Sequence, residues 1–145
     1  MRVLVDANIL IDALVDPDAR PQGDRKSAIL VLDAIAAGEV VGVITPVIFT
    51  FLVHFAKPRR KDHRKRMQQA LDFILDIFEW APVDAEHFRS ALASSFTDVE
   101  DGMEYFAASS IGRLDAIVTR NTTDFSEHVN VVALTAAQFA GKYLK

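Results

Sequence analysis

The sequence predicts an α/β fold: a mainly parallel central sheet of about five strands flanked by helices. Three observations predict it. Short aliphatic runs recur along the chain (Val3 to Val5, Val40 to Ile44, Ala116 to Thr119), stretches of helical periodicity separate them, and capping residues stand at the joins. The runs are continuously apolar rather than alternating, as strands covered on both faces require.

Each element follows from its residues in turn. Val3-Leu4-Val5 ends in Asp6, with Ile9-Leu10-Ile11 following, and reads as a buried strand whose carboxyl end delivers a carboxylate. Asp24 to Ala37 reads as a helix with Ile29, Leu32, Ile35 and Ala36 on one face and Gly38 as its stop. A second β-branched run, Val40 to Ile44, is followed by Thr45-Pro46, an N-cap with proline at the first helical position. The helix it opens carries Phe49, Leu52, Val53 and Phe55, and a third, with Met67, Ala70, Leu71, Ile74, Leu75 and Phe78, follows a basic stretch. Trp80 to Val83 fits a short edge strand, since Pro82 cannot donate to a ladder, and Asp84 caps a helix reaching about Ser95. A further helix opens near Asp98 and runs to Gly112. Ala116 to Thr119 and Val129 to Leu134 are the last strands, and Thr135 caps a terminal helix.

A length of 145 residues fits one domain, 1–145, because roughly 100–200 residues usually make one core. Half the residues are apolar (50%) and a quarter charged (25%), a balance that excludes a disordered or low-complexity chain. With no cysteine there is no disulfide framework and no thiolate site, so a metal must be held by oxygen or imidazole. The amino terminus meets Asp6 before any apolar stretch reaches signal-peptide or membrane-spanning length, which predicts a cytoplasmic protein with no membrane partner. The net charge of −4 discourages nucleic-acid binding globally, but attraction acts over a Debye length of ~10 Å, so local charge decides.

In a doubly wound sheet, ligands bind outside the carboxyl ends of the strands. Asp6 ends the first strand, Asn121 and Asp124 lie just past the strand ending at Thr119, and Asp98, Glu100 and Asp101 open the helix that leads into that strand. Carboxylates gathered in one place repel each other unless a cation neutralises them. An all-oxygen set selects Mg²⁺ or Mn²⁺, which retain waters and contact phosphate oxygens, and the implied chemistry is phosphodiester hydrolysis. Each acid also has a purely structural use. Asp98 suits an N-cap, and Glu100 and Asp101 favour a helix N-terminus by about 0.3–1 kcal/mol each. Asp6 is harder to explain that way, because a carboxylate closing an apolar strand is partly buried and needs a partner. Asp12 and Asp16 read as surface or loop residues, and Asp115 as the start of a strand at the opposite edge.

The sequence resembles the PIN-domain family, including the VapC-type toxins, in three blocks that span nearly the whole chain. They are Val3-Leu4-Val5-Asp6-Ala7-Asn8-Ile9-Leu10-Ile11-Asp12, then Asp98 to Tyr105 followed by Ala107 and Ala108, and finally Ile117-Val118-Thr119-Arg120-Asn121-Thr122-Thr123-Asp124-Phe125. The combination is far more specific than a lone Asp-x-Asn. The resemblance implies a metal-dependent ribonuclease, in the VapC case the toxin of a toxin-antitoxin pair, with a small antitoxin protein covering the acidic cleft. It further implies Asp6, Asp101 and Asp124 as metal carboxylates, Asn121 as a ligand or orienting group, and Asn8 and Thr119 as supporting hydrogen-bonders. Glu100 and Glu104 are second-tier groups, Glu104 standing one helical turn from Asp101. One departure stands out: the family's glutamate after the second strand aligns with Phe51, a loss that weakens cation binding unless Glu100 or Glu104 compensates.

The run Lys57 to Arg66 concentrates positive charge despite the acidic total. Such a run is ordinarily a solvated face, whereas beside a phosphodiester-cleaving site Arg59, Arg60, Lys61 and Arg64 become RNA-phosphate contacts with steep salt dependence. His54, His63, His87 and His128 are isolated and read as surface or packing residues. Phe49, Phe51, Phe55, Phe73 and Phe78 read as core or homodimer contacts rather than base-stacking platforms. Two other readings compete. One is a catalytically degenerate PIN module that binds RNA or a protein. The other is a phosphatase of the haloacid-dehalogenase kind with Asp6 as covalent nucleophile, which lacks the second acid because position 8 is Asn. A receiver-like signalling domain fits the Thr119 to Phe125 block and the basic stretch poorly.

Overall fold

The computed structural model describes residues 1–15, 24–56 and 63–144. Its centre is a five-stranded sheet of β1 (Arg2–Val5), β2 (Val41–Ile44), β3 (Glu79–Trp80), β4 (Ala116–Val118) and β5 (Val132–Leu134). The strand order is β3-β2-β1-β4-β5, and every neighbouring pair is parallel. The helices are α1 (Ala7–Leu14), α2 (Arg25–Ala36), α3 (Pro46–Phe55), α4 (Arg64–Ile77), α5 (Ala85–Ala93), α6 (Val99–Ser110), α7 (Thr122–Ser126) and α8 (Ala136–Tyr143). Helix α1 lies against α2 and α3, α2 against α8, and α5 against α6.

Continuous apolar strands explain the position of the core. Val3, Leu4 and Val5 of β1, Val43 and Ile44 of β2, and Ala116, Ile117 and Val118 of β4 are fully buried, because β1 is central and covered on both faces. Ile9, Leu10 and Ile11 join this core from α1 and are not part of a strand, since the backbone turns helical immediately after Asp6. Packing also dictates Gly42: a Cβ there would stand 2.6 Å from both Ile35 Cδ1 and Phe78 Cε1, so α2 and the end of α4 close directly over bare backbone.

The caps fall where the residue types place them. Asp24 accepts from the Ser27 amide, Thr45 from Ile48 with Pro46 in the first turn, and Gly38 takes the positive φ of 74° that ends α2. Asp84 and Thr135 form reciprocal capping boxes with His87 and Gln138. The edge strands are very short, which limits pairing with another chain.

Three local expectations are corrected. In α2 the buried face is Ala28, Val31, Leu32 and Ile35, and Ile29 and Ala36 are exposed, so the apolar stripe is rotated by one position. The last strand begins at Val132 rather than Val129, and the five-residue helix α7 precedes it. Of the aromatic set, Phe78 is buried and Phe49 packs edge-on against Trp80, whereas Phe51, Phe55 and Phe73 are about 40% exposed and are not core. Among the described residues no helix is long and apolar enough to cross a membrane.

Candidate metal centre

The chain visits β1, β2 and β3 on one side before returning to β4 and β5 on the other, so the direction of winding reverses between β1 and β4. That switch point leaves a crevice at the strands' carboxyl ends. Asp6 and Thr119 stand there side by side, because β1 and β4 pair in register from Val3 with Ala116 to Val5 with Val118. The Asp6 amide continues the ladder by donating to the Val118 carbonyl at 3.0 Å.

Asp6 occupies the N-cap position of α1, yet its side chain does not cap the helix. Its Oδ2 accepts instead from Thr119 Oγ1 at 2.6 Å and from Asn8 Nδ2 at 2.8 Å. Thr119 Oγ1 in turn accepts from the Asn121 amide at 3.0 Å, and Asn8 Oδ1 accepts from the Arg120 amide at 3.2 Å. This lattice ties the loop after β4 to the first turn of α1 and leaves Asp6 one defined orientation. Burial pushes the Asp6 carboxyl up, and the hydrogen bonds from Thr119, Ala7 and Asn8 and the charge of Arg120 offset only part of that.

The second group comes from α6. Asp98 caps the helix, accepting from the Glu100 and Asp101 amides at 2.9 and 3.3 Å, which turns Asp101 and Glu104 inward on one face a turn apart. Both are buried, Asp101 at 9% and Glu104 at 2% exposure. Burial first, and then the charges of Asp6, Asp98, Asp124 and Glu100, raise the Asp101 carboxyl to about 7. Glu104 is pushed well above the usual carboxylate range by burial and by Asp6 and Asp101. Glu100, half-buried, is raised by burial and by Asp98 and Asp6. Asp124, in α7, is exposed and enters through its charge on Asp101, and Asn121 is exposed at the N-cap of α7.

Asp6, from the start of the sequence, is thus close enough to oppose the ionisation of Glu100, Asp101 and Glu104. The donor set is entirely oxygen, and among the described residues no group of three or more acidic or histidine side chains is arranged to hold a metal ion. All-oxygen donors are the chemistry that a small hard divalent cation keeping several of its waters takes. Helix α3 adds nothing to the set: Pro46 to Phe55 contains no acid, and Phe51 lies exposed on it, its ring stacked on Phe55.

Of the basic residues read as RNA contacts, Arg64 is exposed at the start of α4, and Arg59, Arg60 and Lys61 lie outside the described residues, as does Asp16. Asp12, expected at the surface, is instead buried in α1, 3.3 Å from Arg120 Nε. The signal for this was an acid set among Ile9, Leu10, Ile11 and Ala13, four residues from Asn8 and therefore on its face of the helix.

A family model described as PIN domain matches residues 2–123. Among solved structures, a chain in the crystal structure of VapBC2 from Rickettsia felis bound to a DNA fragment from their promoter is similar in fold. Its TM-score is 0.63 and its identity 17%, over 93% of this chain and 98% of that one. No curated protein matches the sequence.

Proposed function

Because the chain belongs to the PIN-domain family, we propose that it is a metal-dependent endoribonuclease that hydrolyses RNA phosphodiester bonds at the acidic crevice. One observation carries the reading: the carboxylate that ends β1 meets those of α6 at the switch point, where Asp6 raises the pKa of Asp101 and Glu104, an arrangement that is costly alone and favourable around a cation. In this reading Asp6, Asp101 and Asp124 hold the Mg²⁺ or Mn²⁺, Asn121 ligates or orients, and Glu104 and Glu100 supply the charge that α3 lacks. Bound there, the ion supplies an acidified water as nucleophile and charge to offset the phosphoryl and leaving oxygens.

The chain's own residues do the rest. Thr119 and Asn8 donate to the same oxygen of Asp6 and so fix the orientation in which its carboxyl would meet the ion. Glu104, deep in the site, is pushed above the usual carboxylate range by burial and by Asp6 and Asp101, so a cation bound there would favour its ionised form.

The likeness to a VapBC2 chain supports a toxin role, with a small antitoxin protein as partner, in the reducing cytoplasm. Under the same reading, the exposed rings of Phe51, Phe55 and Phe73 are the surface for pairing with a second copy.

The test is cleavage of single-stranded RNA with Mg²⁺ or Mn²⁺ and with EDTA. Wild type should cut only with metal, and Asp6→Asn and Asp101→Asn should each lose at least about a hundredfold in rate, the scale of a lost charge-stabilising group. RNA that binds but stays intact under every metal condition would establish the degenerate module in its place.

A further inference from the structure

The proposed chemistry leaves the ion pair of Asp12 and Arg120 without a use. The Asp12 side chain is 2% exposed and that of Arg120 31%, with Nε and Oδ2 3.3 Å apart. A buried carboxylate in an apolar helix face is no gain in stability over leucine, because desolvation cancels most of the attraction. What it secures is the position of a guanidinium.

Arg120 meets α1 at two points: its amide donates to Asn8 Oδ1 at 3.2 Å, and its Nε, which makes no hydrogen bond, is ion-paired with Asp12 Oδ2 one turn further along at 3.3 Å. The same Asn8 holds Asp6 through its other end. Arg120 is therefore registered to the carboxylate that ends β1, and among the described residues its two terminal nitrogens have no hydrogen-bond partner. An RNA strand entering a crevice of Asp6, Glu100, Asp101 and Glu104 is repelled at every phosphate not facing a cation. A rigid, always-charged fork beside that crevice meets this need, and guanidinium matches phosphate geometry in a way an ammonium does not.

We propose that Arg120, held by Asp12, grips a backbone phosphate of single-stranded RNA next to the scissile bond, with Asp12 as a positioning residue. This rests on the nuclease reading of the crevice.

The test measures binding of a fluorescent single-stranded RNA by anisotropy in EDTA, across a salt series, beside steady-state kinetics with Mg²⁺ and melting curves. Arg120→Ala should weaken binding about tenfold, the worth of one charge-assisted contact. The slope of log affinity against log salt should fall by about 0.7, one phosphate's share on a single strand. KM should rise by a similar factor while kcat stays within about threefold. Arg120→Lys should keep the salt slope and recover only part of the affinity, and Asp12→Asn should weaken binding with the slope unchanged. If Arg120→Ala does not fold, these last two variants decide. Variants that melt lower but bind RNA with unaltered affinity and slope overturn the assignment of Arg120 and leave the nuclease reading standing. A wild type that neither binds nor cuts single-stranded RNA overturns both.

Discussion

Asp101 shows how much of this site is decided by surroundings rather than residue type. Its carboxyl is raised from 3.8 to about 7, so the folded chain keeps a proton that the unfolded chain releases. The linked stabilisation is full below 3.8 and is lost as pH climbs through about 7. Asn mimics the protonated acid at every pH. The metal-free Asp101→Asn protein should therefore gain on wild type in melting temperature as pH rises through this window, by several degrees at pH 8, at roughly 4 °C per kcal/mol. Equal pH profiles for the two proteins in EDTA would refute the raised pKa. At the same scale, Asp6, Asn8, Thr119 and Asp124 were legible as a pattern of residue types, whereas Asp12 was misread. The misreading came from treating an acid by its mean preference for water instead of by its apolar neighbours in α1.

At the scale of elements, the proposed site draws its acids from α6 and none from α3. Helix α3 carries no acid and Phe51 lies exposed on it, while α6 contributes Glu100, Asp101 and Glu104 within two turns. Cation binding should therefore depend on α6 beyond Asp101. Calorimetric titration with Mn²⁺ should show Glu104→Gln losing about tenfold in affinity and Glu100→Gln less, since only Glu104 is buried beside Asp6. Unchanged affinity in both variants would mean that nothing compensates for Phe51. Apart from α1 and α7, helix and strand existence followed from local signals, and so did caps such as Thr45-Pro46, because a cap is satisfied within three residues of itself. The start of β5, the short α7 and the rotated stripe of α2 did not follow, because each depends on what the neighbouring element covers.

For the whole molecule, the acidic crevice is a cost that a bound cation would offset. Mg²⁺ or Mn²⁺ at a hundredfold excess over Kd should stabilise the fold by about 2.7 kcal/mol, a rise in melting temperature that Asp6→Asn should largely abolish. Identical melting of both proteins with and without metal would remove the ion from the site. The sequence by itself determined the alternation of the strands with α2 to α6 and α8, the caps between them and the set of acids at the strand ends. All of these rest on interactions between residues near in the chain or on a pattern of residue types. Tertiary structure alone decided that Asp101 and Glu104 are buried beside Asp6, that Asp12 holds Arg120, and how far each proton is retained. Desolvation and Coulomb repulsion depend on distances between segments about a hundred residues apart, and those distances exist only once the sheet has closed β1 against β4.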